Sequence, residues 1–354
     1  MQPFAALVRQ GNRRALSKAL TLVESTKPEH QAQAMQLLDL LYSPSPSPLP
    51  SVPPSTRPLS HTQRTVLKPL DDYRIGISGP PGAGKSSLIE ALGCAMVCHQ
   101  HQKVAVLAID PSSDTSGGAI LGDKTRMAKL SRLDQAFVRP SPSRGSLGGV
   151  ARSTTEALAI CAAAGYTRIL VETVGVGQSE IAVADLVDCM VLVLPPVGGD
   201  DLQSIKRGIT EVADIVVVNK ADGATKAAAA LAAASFRATM HLRPLRKQNW
   251  VPVVMPVSAH TGEGIEELRI ALDEYWNRMR ASGELRALRG KQRRHVAWTA
   301  AQDLLLQKMK VDDKVQVAFN ELLPDITEGR VGPRMVARSL VDCFLFRKND
   351  ATDD

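Results

Sequence analysis

Aromatic residues are scarce in this sequence, since Phe, Trp and Tyr together make up 4% of its 354 residues. Val, Ile, Leu and Ala must therefore fill the interior, and the apolar fraction of 44% is large enough to do so. Side chains of this kind are typical of a parallel sheet covered by helices. No apolar run is long enough to cross a bilayer, so the sequence predicts no membrane-spanning segment.

Cysteine is also infrequent, and the spacing of the five cysteines is not that of a disulfide scaffold. They lie in apolar or helical segments, at Cys94, Cys98, Cys161, Cys189 and Cys343. This pattern predicts a reducing compartment. The N-terminal segment lacks the charged start and the uninterrupted apolar run of a secretory signal. The segment is somewhat basic and amphipathic, which leaves organelle targeting as an alternative, and we expect a cytoplasmic protein.

The two ends of the chain differ in pattern from its middle. Residues 4–42 carry apolar residues at helical spacing and are predicted to form two helices. Residues 43–60 are rich in Ser and Pro, which predicts an extended spacer because proline removes amide donors. Beyond about residue 280 the chain is charged and helical, without a strand signal. We expect four segments: a helical extension (1–42), a linker (43–60), a main domain (61–280) and a C-terminal helical arm (281–354).

The main domain alternates short apolar runs with longer helical stretches. Such alternation predicts an α/β fold with a doubly wound, mostly parallel sheet, whose ligands bind at the carboxyl ends of the strands. The predicted strands are Arg74–Ser78, Val104–Ile109, Ile169–Val171, Met190–Leu194, Ile215–Val218 and Val253–Val257. The predicted helices span 85–99, 149–164, 202–213, 223–241 and 264–280.

A glycine-rich phrase with the pattern G-x-x-x-x-G-K-[ST] follows the first of these strands and opens a helix. Glycines let successive backbone N–H groups point at phosphate oxygens, and the helix adds its positive N-terminal end. We expect Lys85 to neutralise the β- and γ-phosphates and the Ser86 hydroxyl to bind Mg²⁺. The predicted phosphate-binding residues are Gly79, Pro80, Pro81, Gly82, Ala83, Gly84, Lys85, Ser86 and Ser87.

A second motif, N-K-x-D, follows the strand Ile215–Val218 as Asn219-Lys220-Ala221-Asp222. The Asp222 carboxylate can accept hydrogen bonds from guanine N1–H and from the 2-amino group, whereas adenine offers neither donor there. Lys220 can lie along the purine face, and Asn219 can join this loop to the phosphate loop. Backbone amides at Ser258 and Ala259, after the last strand, can reach guanine O6. The motifs predict binding of GTP or GDP, with ATP as the alternative nucleotide.

Three acidic residues follow the strands where a magnesium ion would lie. Asp110 closes one strand, Glu172 closes another, and Asp123 lies in a loop. Hard oxygen atoms are the ligands that Mg²⁺ prefers. Glu172 opens the phrase E-T-V-G, whose glycine, Gly175, is placed to sense the γ-phosphate as part of a switch.

Many regulatory GTPases carry a water-orienting glutamine directly after that glycine. Here the position is Val176, and Gln178 is two residues too far along. This substitution predicts slow intrinsic hydrolysis that a partner accelerates.

Long phrases around these motifs resemble the MeaB/ArgK family, the G-protein chaperones of adenosylcobalamin-dependent methylmalonyl-CoA mutase. The resemblance covers essentially residues 1–345, and the phrases that carry it are AIDPSSDTSGGAILGDKTRM, FVRPSPSRGSLGGVAR, ILVETVGVGQSEIAVADLVD and GGDDLQSIKRGITEVADIVVVNKADG. It implies the P-loop NTPase fold of the SIMIBI class and a homodimer with much of its contact in the C-terminal helices. Its implied partner is this mutase or a related acyl-CoA mutase, whose cofactor loading and protection GTP hydrolysis would gate.

The resemblance also implies roles for individual residues. Asp110, Asp123 and Glu172 would surround the metal. The segment 198–207 resembles the family's third switch, in which Gln203 and Lys206 would complete the catalytic site. A cation at position 206 would stabilise charge on the transferring phosphate. Ser116 and Ala119 depart from the family's usual T-G-G-S, which removes or shifts a hydroxyl near the nucleotide.

Three other functions remain as alternatives. A nickel- or zinc-handling GTPase would use Cys94, Cys98, His99 and His101, although cysteines on the helix after a phosphate loop are commonly buried. A transport-associated ATPase or kinase for basic amino acids is disfavoured by N-K-x-D. A net charge of +7 fits nucleic acid as well as a nucleotide or coenzyme A. The basic residues that motivate nucleic-acid binding are more typical of a solvated or dimer-arm surface, and they are Arg286, Arg289, Lys291, Arg293 and Arg294.

Overall fold

The computed structural model describes residues 1–42, 71–110, 127–142, 147–173, 183–196, 207–241 and 246–345. Its helices are α1 (Gln2–Arg9), α2 (Arg13–Glu24), α3 (Pro28–Tyr42), α4 (Lys85–Gln100), α5 (Ala128–Ser131), α6 (Leu147–Ala163), α7 (Arg207–Val212), α8 (Lys226–His241), α9 (Ile265–Ala281), α10 (Glu284–Lys310), α11 (Asp313–Thr327) and α12 (Pro333–Leu345). Its strands are β1 (Tyr73–Ser78), β2 (Val104–Asp110), β3 (Ala136–Pro142), β4 (Arg168–Glu172), β5 (Cys189–Leu194), β6 (Ile215–Val218) and β7 (Val253–Pro256).

These strands form one seven-stranded sheet in the order β3-β2-β4-β1-β5-β6-β7, and every pairing is parallel. The strand that precedes the glycine-rich loop therefore lies between the strand that ends at Glu172 and the strand Cys189–Leu194. All carboxyl ends lie at one edge of the sheet, where the predicted motifs follow. The predicted α/β fold with a doubly wound parallel sheet is confirmed.

Helices cover both faces of the sheet. On one face, α4 and α9 pack on Ile75, Ile77 and Leu170, among other buried strand residues. On the other face, the small side chains of α8 pack on Leu192, Val216 and their neighbours. Alanines at the contact allow this helix to approach the strands closely, which suits a core with few aromatic rings.

The N-terminal region forms three helices, so the expectation of two between residues 4 and 42 is wrong. Gly11 has φ 74°, and the Asn12 side chain accepts hydrogen bonds at 3.1 Å from the backbone N–H groups of Arg14 and Ala15. A left-handed glycine ends α1, and an asparagine cap starts α2. The helix α2 then packs on α6 and β3.

One strand, β3, was missed in the sequence. Its residues pair with β2 from Val104↔Ala136 to Asp110↔Pro142. It contains Pro140 and Pro142 and lies at the edge of the sheet, which is where proline is tolerated.

The chain divides into two compact units, Met1–Arg293 and Arg294–Asp354. Within the second unit, α11 packs against α12. The C-terminal region contains three helices and no strand among residues 284–345, as its sequence indicates. The four segment boundaries expected from the sequence remain predictions.

Candidate nucleotide-binding site

The glycine-rich loop joins β1 to α4 through residues 79–84. At two of its positions the neighbouring atoms leave no room for a side chain larger than that of glycine. Gly79 has φ 151°, and a Cβ there would lie 2.0 Å from the carbonyl oxygen of Val193. Gly84 has φ 88°, and a Cβ there would lie 2.5 Å from Nδ2 of Asn219. Both positions exclude any side chain, because neighbouring strands or loops approach the backbone closely. The loop is thus held against the ends of β5 and β6.

Lys85, the first residue of α4, folds back over this loop. Its Nζ donates to the carbonyl oxygens of Gly79 at 2.8 Å and Pro80 at 3.3 Å, and the residue is only 8% exposed. The ammonium group and the N-terminal end of α4 place positive charge on the same concave stretch of backbone. This arrangement favours a phosphate group.

Ser86 and Glu172 meet at the carboxyl ends of β1 and β4. The Ser86 hydroxyl donates to Oε1 of Glu172 at 2.7 Å, and Glu172 is 9% exposed. A hydroxyl and a carboxylate in contact form a hard oxygen donor pair that fits Mg²⁺. Asp110 ends the neighbouring strand β2, whose residue Ala108 is in register with Glu172.

Five predicted residues lie in or next to the segments left undescribed. Asp123, Gly175, Gln203 and Lys206 fall outside the described residues, and for Asp110 only the backbone is described. Their predicted roles at the metal, the switch and the catalytic site therefore stay predictions.

Asn219 joins three loops. Its Nδ2 donates to the carbonyl oxygens of Ala83 at 2.9 Å and Gly84 at 3.2 Å, and its Oδ1 accepts from the backbone N–H of Ala259 at 3.1 Å. The residue is 1% exposed. One side chain thus holds the glycine-rich loop and the two loops predicted to read the base in a fixed relation.

Contacts among their own residues fix the loops after β6 and β7, which are predicted to read the base. The Ser258 hydroxyl donates to Oδ2 of Asp222 and accepts from the backbone N–H of Thr261 at 3.1 Å. Lys220 has φ 60°, an uncommon conformation for a side chain of this size. The Thr225 hydroxyl satisfies the Lys220 carbonyl at 2.6 Å. These contacts hold the Asp222 carboxylate in one orientation.

Sequence reasoning missed a buried contact beside this site. The Thr173 hydroxyl donates to the Ser78 hydroxyl at 2.7 Å, and both residues are 2% exposed or less. The sequence did carry a signal for these two residues, because Ser78 directly precedes Gly79 and Thr173 directly follows Glu172, both predicted functional residues. Their pairing could not be read, since 95 residues separate them.

The geometry of Asn219 leads to a testable expectation. Asn219→Ala removes three hydrogen bonds, each contributing about 0.5–1.5 kcal/mol. We expect the dissociation rates of GDP and GTP to rise about 10–100-fold, while guanine-over-ATP preference is kept because Asp222 remains. Stopped-flow release of a fluorescent guanine nucleotide measures this. Unchanged release rates in a folded variant would contradict the bridging role.

The cysteine-based metal site is not supported by the part of the chain that the structure describes. There, no group of three or more His, Cys, Asp or Glu side chains could hold a metal ion. Burial, with a smaller contribution from Glu90, raises the pKa of the Cys94 thiol, which opposes the thiolate that a metal needs. Cys94 is partly buried, whereas Cys98 is exposed, so the expectation of buried cysteines on this helix is wrong for Cys98.

The basic cluster after residue 284 is also corrected at one position. Arg289 is 2% exposed and pairs with Asp188 at 2.6 Å and Asp72 at 2.9 Å, so it belongs to no solvated surface. The other four basic residues are exposed. Within the described ranges, none of the helices has the length and apolar character needed to span a membrane.

Comparison with known proteins matches this chain to one family. The sequence model of the family described as methylmalonyl-CoA mutase-associated GTPase MeaB matches residues 63–314. The chain is 43% identical to the mitochondrial methylmalonic aciduria type A homolog of Mus musculus, over 97% of this chain and 79% of that protein. It is 42% identical to a probable GTPase of Mycobacterium tuberculosis, over 96% of this chain and 94% of the relative.

Two further proteins are similar over most of their length. The GTPase ArgK of Escherichia coli is 38% identical, with 94% of this chain and 93% of that protein covered. Among solved structures, that of an LAO/AO transport system kinase superposes with a TM-score of 0.68 and 31% identity, covering 97% of each chain.

Proposed function

The chain belongs to the family of methylmalonyl-CoA mutase-associated GTPases MeaB, and from that premise we propose that it is a GTP-hydrolysing chaperone of an adenosylcobalamin-dependent acyl-CoA mutase. The observation that carries the nucleotide part is the contact network of Asn219, which joins a phosphate-binding loop to a preoriented Asp222 loop. This network supports a single site that would hold phosphate at one end and guanine at the other.

We assign phosphate binding to the loop 79–86. Its backbone N–H groups and the start of α4 receive the phosphate oxygens, and Lys85 exchanges its carbonyl partners for the β- and γ-phosphates. This exchange needs only rotation of one side chain, because the ammonium already lies over the loop. Pro81, Gly82 and Ser87 complete the cradle in our proposal.

We assign guanine binding to the loops after β6 and β7. Asp222 would accept the N1–H and 2-amino hydrogen bonds, and the hydroxyl of Ser258, which donates to Oδ2, would limit rotation of its carboxylate. The stem of Lys220 completes the contact with the base. The backbone N–H of Ala259 donates to Asn219 here, so it would exchange that partner for guanine O6. Adenine would offer the carboxylate no donor in place of the two from guanine, and Ser258 alone would not replace them, which costs more than the lost contact itself.

Ser86 and Glu172 would hold a magnesium ion together with Asp110 and Asp123. Their oxygen donors fit such an ion, and the ion would supply charge neutralisation on the β- and γ-phosphates. The chain's own contribution is to set these donors in contact, as the 2.7 Å distance between Ser86 and Glu172 indicates.

Hydrolysis by the isolated chain is proposed to be slow. Val176 stands where many GTPases orient the attacking water with glutamine. Gln203 and Lys206 are the proposed replacements, with Lys206 neutralising the transferring phosphate. Gly175 would report the γ-phosphate to the partner surface.

A mutase partner is supported by the family description and by the name of the mouse relative. A homodimer is supported by apolar side chains that the C-terminal unit leaves exposed, among them Trp298 at 73%, Val311 at 78% and Met335 at 70%. A cytoplasmic location remains a prediction.

The test is nucleotide turnover by the purified chain, alone and with an adenosylcobalamin-dependent methylmalonyl-CoA mutase. We expect GTP turnover below about 1 s⁻¹ alone and a many-fold increase with the mutase. ATP is the matched control nucleotide, and Lys85→Ala should lower turnover by about 10²–10³-fold.

Three outcomes separate the proposals. Fast GTP turnover by the isolated chain would contradict a partner-dependent site. Slow turnover that ignores the mutase would keep the GTPase and reject this client. Turnover of ATP above that of GTP would favour the alternative transport-associated kinase.

A further inference from the structure

The buried hydroxyl pair of Ser78 and Thr173 joins the two chain segments that bring Ser86 and Glu172 together. Ser78 is the last residue of β1 and directly precedes Gly79, while Thr173 directly follows Glu172 at the end of β4. The Thr173 backbone N–H also donates to the Ile77 carbonyl at 3.0 Å, which extends the β1–β4 ladder by one residue. Two hydrogen bonds thus fix these strand ends where each strand leaves the sheet.

The pair lies on the face of the sheet opposite to Glu172. Successive side chains of a strand point to opposite faces, and Ile77, the register partner of Glu172, belongs to the core under α4. Ser78 and Thr173 therefore face the other layer, where they are 0% and 2% exposed. Their removal leaves the oxygen donors of Ser86 and Glu172 intact and changes only how firmly those donors are placed.

Contact with water does not explain why either residue is polar. Both positions are closed to water, and a buried hydroxyl is unfavourable unless it is hydrogen-bonded. Valine would fill the space of Thr173 without a polar group. A hydroxyl at both positions therefore indicates that a fixed separation of the strand ends is needed.

We propose that Ser78 and Thr173 are positioning residues that set the contact between Ser86 and Glu172, and thereby the affinity of the nucleotide site for Mg²⁺. This inference rests on the proposed guanine-nucleotide site and adds to it a determinant outside the predicted ligand set. The pair has a second consequence. Thr173 is the second residue of the phrase E-T-V-G that ends at Gly175, so the same contact fixes the chain where the proposed switch begins.

The test measures release of a fluorescent GDP analogue across a Mg²⁺ titration, with EDTA as the metal-free reference. We expect Thr173→Val to raise the half-saturating Mg²⁺ concentration about 5–30-fold, as the loss of one buried hydrogen bond implies. Affinity in EDTA should stay within about two-fold, because the phosphate and base contacts are untouched. Thr173→Ser should restore the wild-type Mg²⁺ dependence, since it keeps the hydroxyl.

Two more variants separate pairing from general loosening. Ser78→Ala should match Thr173→Val, and the double variant should be no worse than either, because both single changes remove the same contact. If Thr173→Val fails to fold, the Mg²⁺ dependence of Ser78→Ala is compared with that of wild type instead. Thr239→Val is the matched control, since Thr239 lies exposed on α8, and it should behave as wild type.

Wild-type Mg²⁺ dependence in folded Thr173→Val would overturn the inference. An equal loss of affinity with and without Mg²⁺ would also overturn it, because the pair would then act on the loop as a whole. Absence of guanine-nucleotide binding by the wild-type chain would instead overturn the proposed function, and the inference with it.

Discussion

Asp222→Asn is expected to lower the affinity for GTP by about 10²–10⁴-fold and to create affinity for xanthosine triphosphate. Two hydrogen bonds to a charged carboxylate contribute about 1.5–3 kcal/mol each, and each 1.4 kcal/mol is tenfold in affinity. An asparagine amide presents one acceptor and one donor to the base. Its donor would oppose the 2-amino group of guanine.

Xanthine carries a carbonyl oxygen where guanine carries the 2-amino group, and it keeps N1–H. The amide of asparagine can therefore accept from N1–H and donate to that oxygen. The Ser258 hydroxyl, which donates to Asp222, can serve either atom of the amide because a hydroxyl both donates and accepts. Competition of GTP, XTP and ATP against a fluorescent nucleotide measures the change.

Asp185→Asn is the matched control, because it makes the same change of charge at a side chain that is 53% exposed. It should leave all three affinities within about two-fold of wild type, as surface substitutions usually do. GTP affinity retained in Asp222→Asn would place guanine recognition elsewhere in the chain. Tighter binding of ATP than of XTP would contradict the hydrogen-bond scheme.

The site was readable from sequence where its residues are consecutive. The phosphate-binding loop and N-K-x-D each place several groups within a few residues, and a preceding strand is enough to fix their direction. The contacts of Asn219 span 136 residues to Ala83 and 40 to Ala259. A tethering role could be predicted only because the motifs already implied that their loops meet.

The fold was readable where strands are buried on both faces. Runs such as Ile215–Val218 are uniformly apolar and stand out between helical stretches. The strand Ala136–Pro142 was missed because Arg139 and two prolines interrupt its pattern. Arg139 donates hydrogen bonds to Glu24 and Ser17 of α2, more than 100 residues earlier. The sequence around Arg139 gives no indication of such distant partners.

The ion cluster around Arg289 could not be predicted from the sequence either, because its members lie far apart along the chain. Asp72 and Asp188 directly precede β1 and β5, at the amino edge of the sheet opposite the nucleotide site. Arg289 comes from the first turns of α10, 217 residues after Asp72 and 101 residues after Asp188. In the sequence it stands among exposed basic residues from which its neighbours do not distinguish it.

Arg289→Met is expected to lower the free energy of unfolding by about 3–5 kcal/mol, the usual effect of removing one partner of a buried ion pair. Arg289 donates from Nε to Asp188 at 2.8 Å and from Nη1 to Asp72 at 2.9 Å. The Asp188 side chain is 0% exposed and would be left as a buried charge with fewer donors. Urea denaturation followed by circular dichroism measures the loss.

Arg286→Met is the matched control on the same helix, because Arg286 is exposed, and it should change stability by less than about 0.5 kcal/mol. Arg289→Lys should fall between the two, since an ammonium keeps the charge but cannot reproduce the fork of hydrogen bonds. Equal stability of the Arg289→Met and Arg286→Met variants would show that the cluster is energetically neutral.

Acid unfolding gives a second, independent reading of the same cluster. Burial by itself would raise the pKa of the Asp72 carboxyl, but the charges of Arg74 and Arg289 outweigh it and lower that pKa. A carboxyl whose pKa is lower in the folded state stabilises the protein at pH values above its ordinary pKa of about 3.9. This stability is lost as the pH falls through the lowered pKa. Arg289→Met removes one of the two cations, so its unfolding free energy should fall less steeply than that of wild type below about pH 4. A wild-type slope there would mean that Arg74 alone sets the ionisation of Asp72.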